Sequence, residues 1–253
     1  MSKTVLITGA ASGIGFYVAE QLVKAGHHII VTDLHQHSAE QAAAKIIEQG
    51  GNAQGFALNV ADSNAIEAFF NEFKQPIDVL INNAGIQHVA KLEEFPAETW
   101  QFLQQVMLVG PAIMSKAVLP RMRDRGFGRI INIGSIHALV ASKYKSAYVA
   151  AKHGLIGFAK TMALETGDSN ITINTVCPAY VKTPLVEQQI AAQAKQHGMS
   201  EQQVIDTIML APMPKKAFIE LDEILHTICF LMADEARNIT AQAIAIDGGW
   251  TAQ

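Results

Sequence analysis

The chain predicts an α/β fold, a single domain of βαβ units around a parallel sheet. Three observations carry this. Short apolar runs alternate with longer amphipathic ones along the whole length. Several short runs are nearly continuous in Val, Ile and Leu, the composition of strands covered on both faces. No Pro-, Gly- or Ser-rich linker, charge block or repeat at solenoid spacing divides the 253 residues, so residues 1–253 read as one unit.

In chain order, strands are expected at 5–8, 28–32, 53–58, 79–82, 129–133, 172–176 and 243–246. Helices are expected between them at 13–25, 38–49, 63–74, 98–125, 146–165 and 221–232. Gly110-Pro111 should end or kink the fourth helix, because proline removes a donor and clashes with the preceding turn. The stretch 183–216, rich in Gln, Ala and Met, is long for a connection. It reads either as a substrate lid or as a peripheral helical hairpin or oligomer contact.

A hydrophobic content of 49% against 17% charged residues indicates a well-buried core. The net charge of −4 gives no electrostatic reason to expect a nucleic acid or an acidic membrane as partner. Apolar runs are cut by Gly, Pro or charge before the roughly 18 residues a membrane helix needs, so no membrane span is expected. Met1-Ser2-Lys3 leads straight into the first strand without the small-residue cleavage site of a signal peptide. Cys177 and Cys229 form no CxxC or Cys/His cluster, so neither a disulfide framework nor a metal site is expected. These features point to a reducing, cytoplasmic setting.

Thr8-Gly9-Ala10-Ala11-Ser12-Gly13-Ile14-Gly15 follows the first strand and opens the first helix. Glycines there let the backbone turn tightly and approach a pyrophosphate seated at the helix N-terminus. The spacing is GxxxGxG, which differs from the more familiar GxGxxG. Asp33 ends the second strand, where a carboxylate accepts hydrogen bonds from adenosine ribose hydroxyls and repels a 2′-phosphate. No Arg or Lys lies between Gly9 and Gly15 or in Leu34-His35-Gln36-His37, so NAD is favoured over NADP. Asn82-Asn83-Ala84-Gly85 ends the fourth strand with small residues that admit a ligand; Asn83 can bond a ribose, brace the sheet, or both.

Tyr148 and Lys152 stand at i and i+4, on one face of a helix, with Ser135 upstream. A phenol loses its proton only near pH ~10, and a neighbouring cation favours the phenolate, so the pair suits acid/base work beside a dinucleotide. Together with the glycine loop this suggests hydride transfer.

The TGxxxGxG loop, the NNAG strand end, Ser135, Tyr148 with Lys152, and the Pro178…Thr183 turn together resemble the short-chain dehydrogenase/reductase family over essentially the whole chain. The resemblance implies a Rossmann-like, doubly wound sheet of about seven parallel strands with helices on both faces, assembled as a homotetramer. It implies Tyr148 as acid/base, Lys152 lowering its pKa while holding the nicotinamide ribose, and Ser135 orienting the substrate oxygen. Along the cofactor it places Gly9, Ser12, Gly13, Ile14, Gly15, Asp33, Asn59, Val60, Asn83, Ala84, Gly85 and Pro178, with Val181 and Thr183 at the nicotinamide amide.

Within the family the resemblance narrows to the bacterial D-3-hydroxybutyrate dehydrogenases. It is carried by Asn82 to Val89, His137, Lys145 to Gly154, Thr183 to Ile190 and the Asp247-Gly248-Gly249-Trp250-Thr251 tail. In that group a small carboxylate is held by residues matching Gln87, His137, Lys145 and Gln189, with Trp250 nearby. The residue chemistry agrees: a cation with amide and imidazole donors suits a short acid such as acetoacetate or 3-hydroxybutyrate. Three positions depart from the family pattern. Met107 stands where an Asn holds a relay water, Asn59 replaces an Asp beside the adenine, and Ala179 replaces a Gly, tolerable only outside the left-handed region. These departures leave open a dehydrogenase for another short 3-hydroxy or 3-oxo acid, or a catalytically weak NAD-binding sensor.

Overall fold

The computed structural model describes residues 2–252, with the side chains of residues 185, 196 and 197 outside the description. Seven strands form one parallel sheet in the order β3-β2-β1-β4-β5-β6-β7. They are β1 Thr4–Thr8, β2 His28–Asp33, β3 Asn52–Ala57, β4 Val79–Asn82, β5 Gly128–Ile133, β6 Ile171–Pro178 and β7 Ala243–Ile246. Each expected strand is present, with ends shifted by a residue or two. The helices are α1 Gly13–Lys24, α2 Gln36–Glu48, α3 Ser63–Glu72, α4 Ala97–Gln104, α5 Gly110–Arg125, α6 Ser146–Glu165, α7 Pro184–His197, α8 Glu201–Val204 and α9 Leu221–Met232.

Alternation along the strands decides which helices lie where. Val5, Ile7, Ile29, Val31, Val79 and Ile81 face one side and meet α1, α2 and α9. Leu6, Ile30, Leu80 and Ile130 face the other and meet α3 to α6. Both faces are therefore covered, as the Val/Ile/Leu-rich strands require. The chain runs outward through β2 and β3, then returns to place β4 beside β1. That reversal opens a crevice at the carboxyl ends of β1 and β4, where open α/β sheets take their ligands.

The segment expected to end or kink at Gly110-Pro111 is two α-helices, α4 and α5, joined without a gap in the chain of helical turns. A π turn at Gln105–Val109 joins α4 to α5, and the Gly110 amide bonds back to Gln105. The widened turn accommodates Pro111, which lacks the amide an α-helix would use. Gly110 is needed as well, since a Cβ there would lie 2.6 Å from the Val60 carbonyl oxygen. The joined helix is also long and apolar enough, by length and composition, to cross a bilayer, contrary to the reading of its interruptions as sufficient. Its Leu103, Met107, Met114, Val118 and Met122 are instead packed against the sheet.

The 183–216 stretch folds as a helical excursion: α7, α8 and a second π turn at Ile205–Met209. Ile190, Val204 and Met209 form its small core, packed against Tyr180 and Phe218 at its base. Thr183 caps α7 through its hydroxyl, and Ser200 with Gln203 makes a capping box on α8.

Candidate active site

A cavity of about 500 Å³ opens at the carboxyl edge of the sheet. Its wall contains every expected catalytic, substrate-binding and cofactor-binding residue except Gly15 and Trp250. Those two act one layer back. A Cβ on Gly15 would meet the Asn83 amide nitrogen at 2.5 Å, so glycine there lets α1 seat against β4. Trp250 backs the wall, its ring 5.8 Å from His137 and stacked on Tyr180 at 6.1 Å.

The end of the cavity near β1 and β2 is built from backbone. Gly9 and Gly13 have φ of +61° and +59°, and a Cβ on Gly9 would sit 2.8 Å from the Ala84 Cα. Ser12 occupies the N-cap of α1 in extended conformation, yet its hydroxyl makes no cap bond, and no acidic residue lies in the first turn. That leaves a positive helix end and a hydroxyl facing the cavity, a fit for a pyrophosphate. The Asp33 carboxylate is fixed by accepting from the Ala11 amide (3.0 Å) and the Leu34 amide (2.8 Å). Asn83 donates to the Thr8 and Gly9 carbonyls, both at 2.9 Å, while the Thr8 hydroxyl accepts from the Asn83 and Ala84 amides. Of its two readings, bracing the crevice is the one its amide hydrogens serve here. Asn59 accepts from the Ala61 amide at 3.1 Å and lines the cavity beside Val60, Leu34 and Leu58.

The middle of the cavity holds Ser135, Tyr148 and Lys152. Lys152 is buried and donates to the Ile133 carbonyl at 2.7 Å. Burial lowers it to about 8. Its Nζ lies 5.7 Å from the Tyr148 ring centroid. Burial raises the Tyr148 phenol, the Ser135 hydroxyl beside it pulls the other way, and Cys177 adds to the rise. Burial is the dominant influence on the phenol, and the Ser135 hydroxyl opposes it. The ammonium is tethered to a carbonyl rather than to the phenol. Ala179 keeps out of the left-handed region, which satisfies the condition for replacing glycine. Met107 is fully buried in the π turn, its Sδ 3.8 Å from where a Cβ on Gly85 would lie.

The far end is built from side chains. Lys145 immediately precedes α6 and is only 6% exposed, with no carboxylate within ion-pair distance among the described residues. Burial lowers it to about 8. Its Nζ donates to the Tyr180 hydroxyl at 3.3 Å. His137 is pushed down to about 3 by burial, then by Lys145 and His153, and is neutral at working pH. Its Nε2 pairs with the Ser142 hydroxyl at 2.7 Å, and Nδ1 lies 3.4 Å from the Ser135 hydroxyl. Gln87 accepts from the His88 amide at 3.1 Å, and both Gln87 and Gln189 line the cavity. A buried cation among neutral donors can hold a small anion, and a phenol beside it can move a proton.

Sequence reasoning missed Tyr180, which lines the cavity and contacts Lys145, His137 and Trp250. The available signal was an aromatic hydroxyl inside the Pro178…Thr183 turn. It also missed the apolar wall of Ile86, Phe102, Val106 and Val186.

Comparison with known proteins agrees with this geometry. Residues 3–194 match the family model described as short chain dehydrogenase. The chain is 42% identical to a D-beta-hydroxybutyrate dehydrogenase of Rhizobium meliloti, covering all of both chains. It is 39% identical to a D-beta-hydroxybutyrate dehydrogenase of Cupriavidus necator, covering 99% of this chain and 98% of that one. Among solved structures, a single-residue variant of actinorhodin polyketide ketoreductase with NADPH superposes with a TM-score of 0.92 at 32% identity, covering 98% of this chain and 97% of the other. The chain belongs to the short-chain dehydrogenase family and is an oxidoreductase of the kind that binds a nicotinamide cofactor.

Proposed function

We propose that this oxidoreductase interconverts (R)-3-hydroxybutyrate and acetoacetate, using NAD. The observation that carries the substrate class is Lys145, a buried ammonium without a carboxylate partner among the described residues, on the wall that also holds Ser135 and Tyr148. An unpaired buried cation is costly unless a ligand supplies the counter-charge. The two relatives named D-beta-hydroxybutyrate dehydrogenase support the particular acid. Asp33 supports NAD, because a fixed carboxylate at the end of β2 repels a 2′-phosphate.

In this reading Lys145, the amides of Gln87 and Gln189, and neutral His137 hold the carboxylate. The Ser135 hydroxyl and the Tyr148 oxygen meet the 3-hydroxyl. In oxidation, Tyr148 in its phenolate form takes the hydroxyl proton and becomes the neutral phenol. NAD held along Gly9, Ser12, Gly13 and Asp33 would supply the hydride acceptor and a positive ring that favours the phenolate. Lys152, anchored on the Ile133 carbonyl, completes the positive surroundings that offset burial of that charge. In reduction the same phenol returns the proton. Holding a short acid at both ends restricts it to reactive poses, a large part of the rate.

The test is NADH formation with each enantiomer of 3-hydroxybutyrate, beside Tyr148→Phe. Turnover of the (R) acid should fall by about 10²–10⁴-fold in the variant, with NADH binding retained. Near-normal turnover in Tyr148→Phe, or no turnover of either enantiomer by the native enzyme, contradicts the proposal. Faster oxidation of a different short 3-hydroxy acid would transfer the assignment to that acid.

A further inference from the structure

We propose that Tyr180 belongs to the acid-binding set: its phenol positions the Lys145 ammonium and offers its own hydrogen to the same substrate carboxylate. The proposal rests on the reading of Lys145 as the carboxylate's cation. It starts from the direction of one hydrogen bond. Lys145 donates to the Tyr180 oxygen at 3.3 Å, so the phenol is the acceptor and its O–H remains to donate. An ammonium has three N–H groups, of which this bond uses one. Both the remaining ammonium hydrogens and the phenol hydrogen belong to groups that line the cavity. A carboxylate has two oxygens that accept such donors.

The ring is held on several sides, as a positioning group requires. Trp250 stacks on it at 6.1 Å with 25° between planes, and His137 meets it edge-on at 6.5 Å. The turn carrying Trp250 is fixed by Asp247, whose carbonyl accepts from the Trp250 amide and whose carboxylate accepts from the Gly249 and Thr251 amides and from the Thr251 hydroxyl. The Tyr180 ring also packs on the core of the 183–216 excursion, and its carbonyl accepts from the Ile219 amide at 2.9 Å. The ammonium sits toward the hydroxyl end of the ring, 5.3 Å from Nζ to the centroid. Burial raises the phenol to about 12, so its hydrogen is present throughout the working range. The titratable groups that interact with Lys145 among the described residues are Tyr180 and His137, and no carboxylate lies within ion-pair distance, so the Tyr180 oxygen is the hydrogen-bond acceptor that steadies its charge.

Tyr180→Phe keeps the ring and removes only the hydroxyl. KM for 3-hydroxybutyrate and the Ki of acetate, used as a non-reacting carboxylate probe, should both rise about tenfold, with kcat within about twofold and NADH affinity unchanged. The charged form of Lys145 loses an acceptor in the variant, so the alkaline rise of KM should begin at lower pH than in the native enzyme. Packing alone would move neither the KM-against-kcat split nor this titration. If Tyr180→Phe leaves KM and acetate Ki unchanged while Lys145→Ala raises both, the proposal for Tyr180 fails and the assigned function stands. If kcat falls with unchanged Ki, the role is structural and the proposal fails. If Lys145→Ala itself leaves both constants unchanged, the reading of the acid site fails, and Tyr180's role with it.

Discussion

The two ends of the cavity are made of different material. The dinucleotide end is backbone: Gly9, Gly13 and Gly15 clear space, Ser12 opens a helix, and Asn83 and Thr8 tie the loop to β4. The end proposed to hold the acid is side chain: Lys145 comes from before α6, His137 from after β5, Gln87 from after β4, Gln189 from α7, and Trp250 from the C-terminal turn. A backbone site is set by the conformation of one short segment. A side-chain site exists only when five distant segments converge. The first suits a ligand shared by many reactions, the second a ligand particular to one.

The comparison breaks most severely at its backbone end. Gly9→Val asks a β-branched residue to adopt φ of +61° while its Cβ meets Ala84 backbone at 2.8 Å. Binding of NADH should be lost, and stability should fall by about 2 kcal/mol or more. Fluorescence titration and thermal unfolding read the two effects; NADH binding within twofold of native would show that the loop is not the dinucleotide seat.

The next effect sharpens the side-chain end. Lys145→Ala should raise KM for the acid about 10–100-fold with NADH affinity unchanged, as expected for a charge-assisted contact. The pH dependence has a definite sign. Burial holds Lys145 at about 8, below the ordinary lysine value, so its charge is complete on the acid side and is lost as pH rises through about 8. KM for the acid should therefore climb above that pH in the native enzyme and stay flat in Lys145→Ala. Lys152 titrates in the same window, so KM rather than kcat is the diagnostic quantity. A native KM independent of pH from 6 to 10 (roughly two units either side of this value) would remove Lys145 from the site.

The smallest effect tests where the two ends differ in chemistry. Asp33→Asn keeps an acceptor for the neighbouring amides but removes the charge. The ratio of kcat/KM for NAD over NADP should fall about tenfold, with KM for the acid unchanged. An unchanged ratio would mean that cofactor choice lies elsewhere.

Much of the backbone end was legible in advance, because its signals are contiguous: glycines after an apolar run, then a helix, and later Asn-Asn-Ala-Gly closing a strand. Tyr148 and Lys152 were legible for the same reason, being one helical turn apart. Tyr180 was not. Its partners Lys145, His137 and Trp250 lie 35, 43 and 70 positions away, and no local period links them. The π turn before Gly110-Pro111 escaped notice because proline in a helix signals a break, whereas close packing against Val60 and α6 kept the helix continuous.

By itself, then, the sequence determined the alternation of strands and helices, the glycine loop and the tyrosine–lysine pair, because each follows from neighbouring residues and local backbone geometry. Tertiary structure alone decided that Lys145 is buried beside neutral donors, that Tyr180 accepts its hydrogen bond, and that Trp250 stands behind both. Burial and long-range contact depend on how the layers pack, and they set the charge and reach of each group at the site.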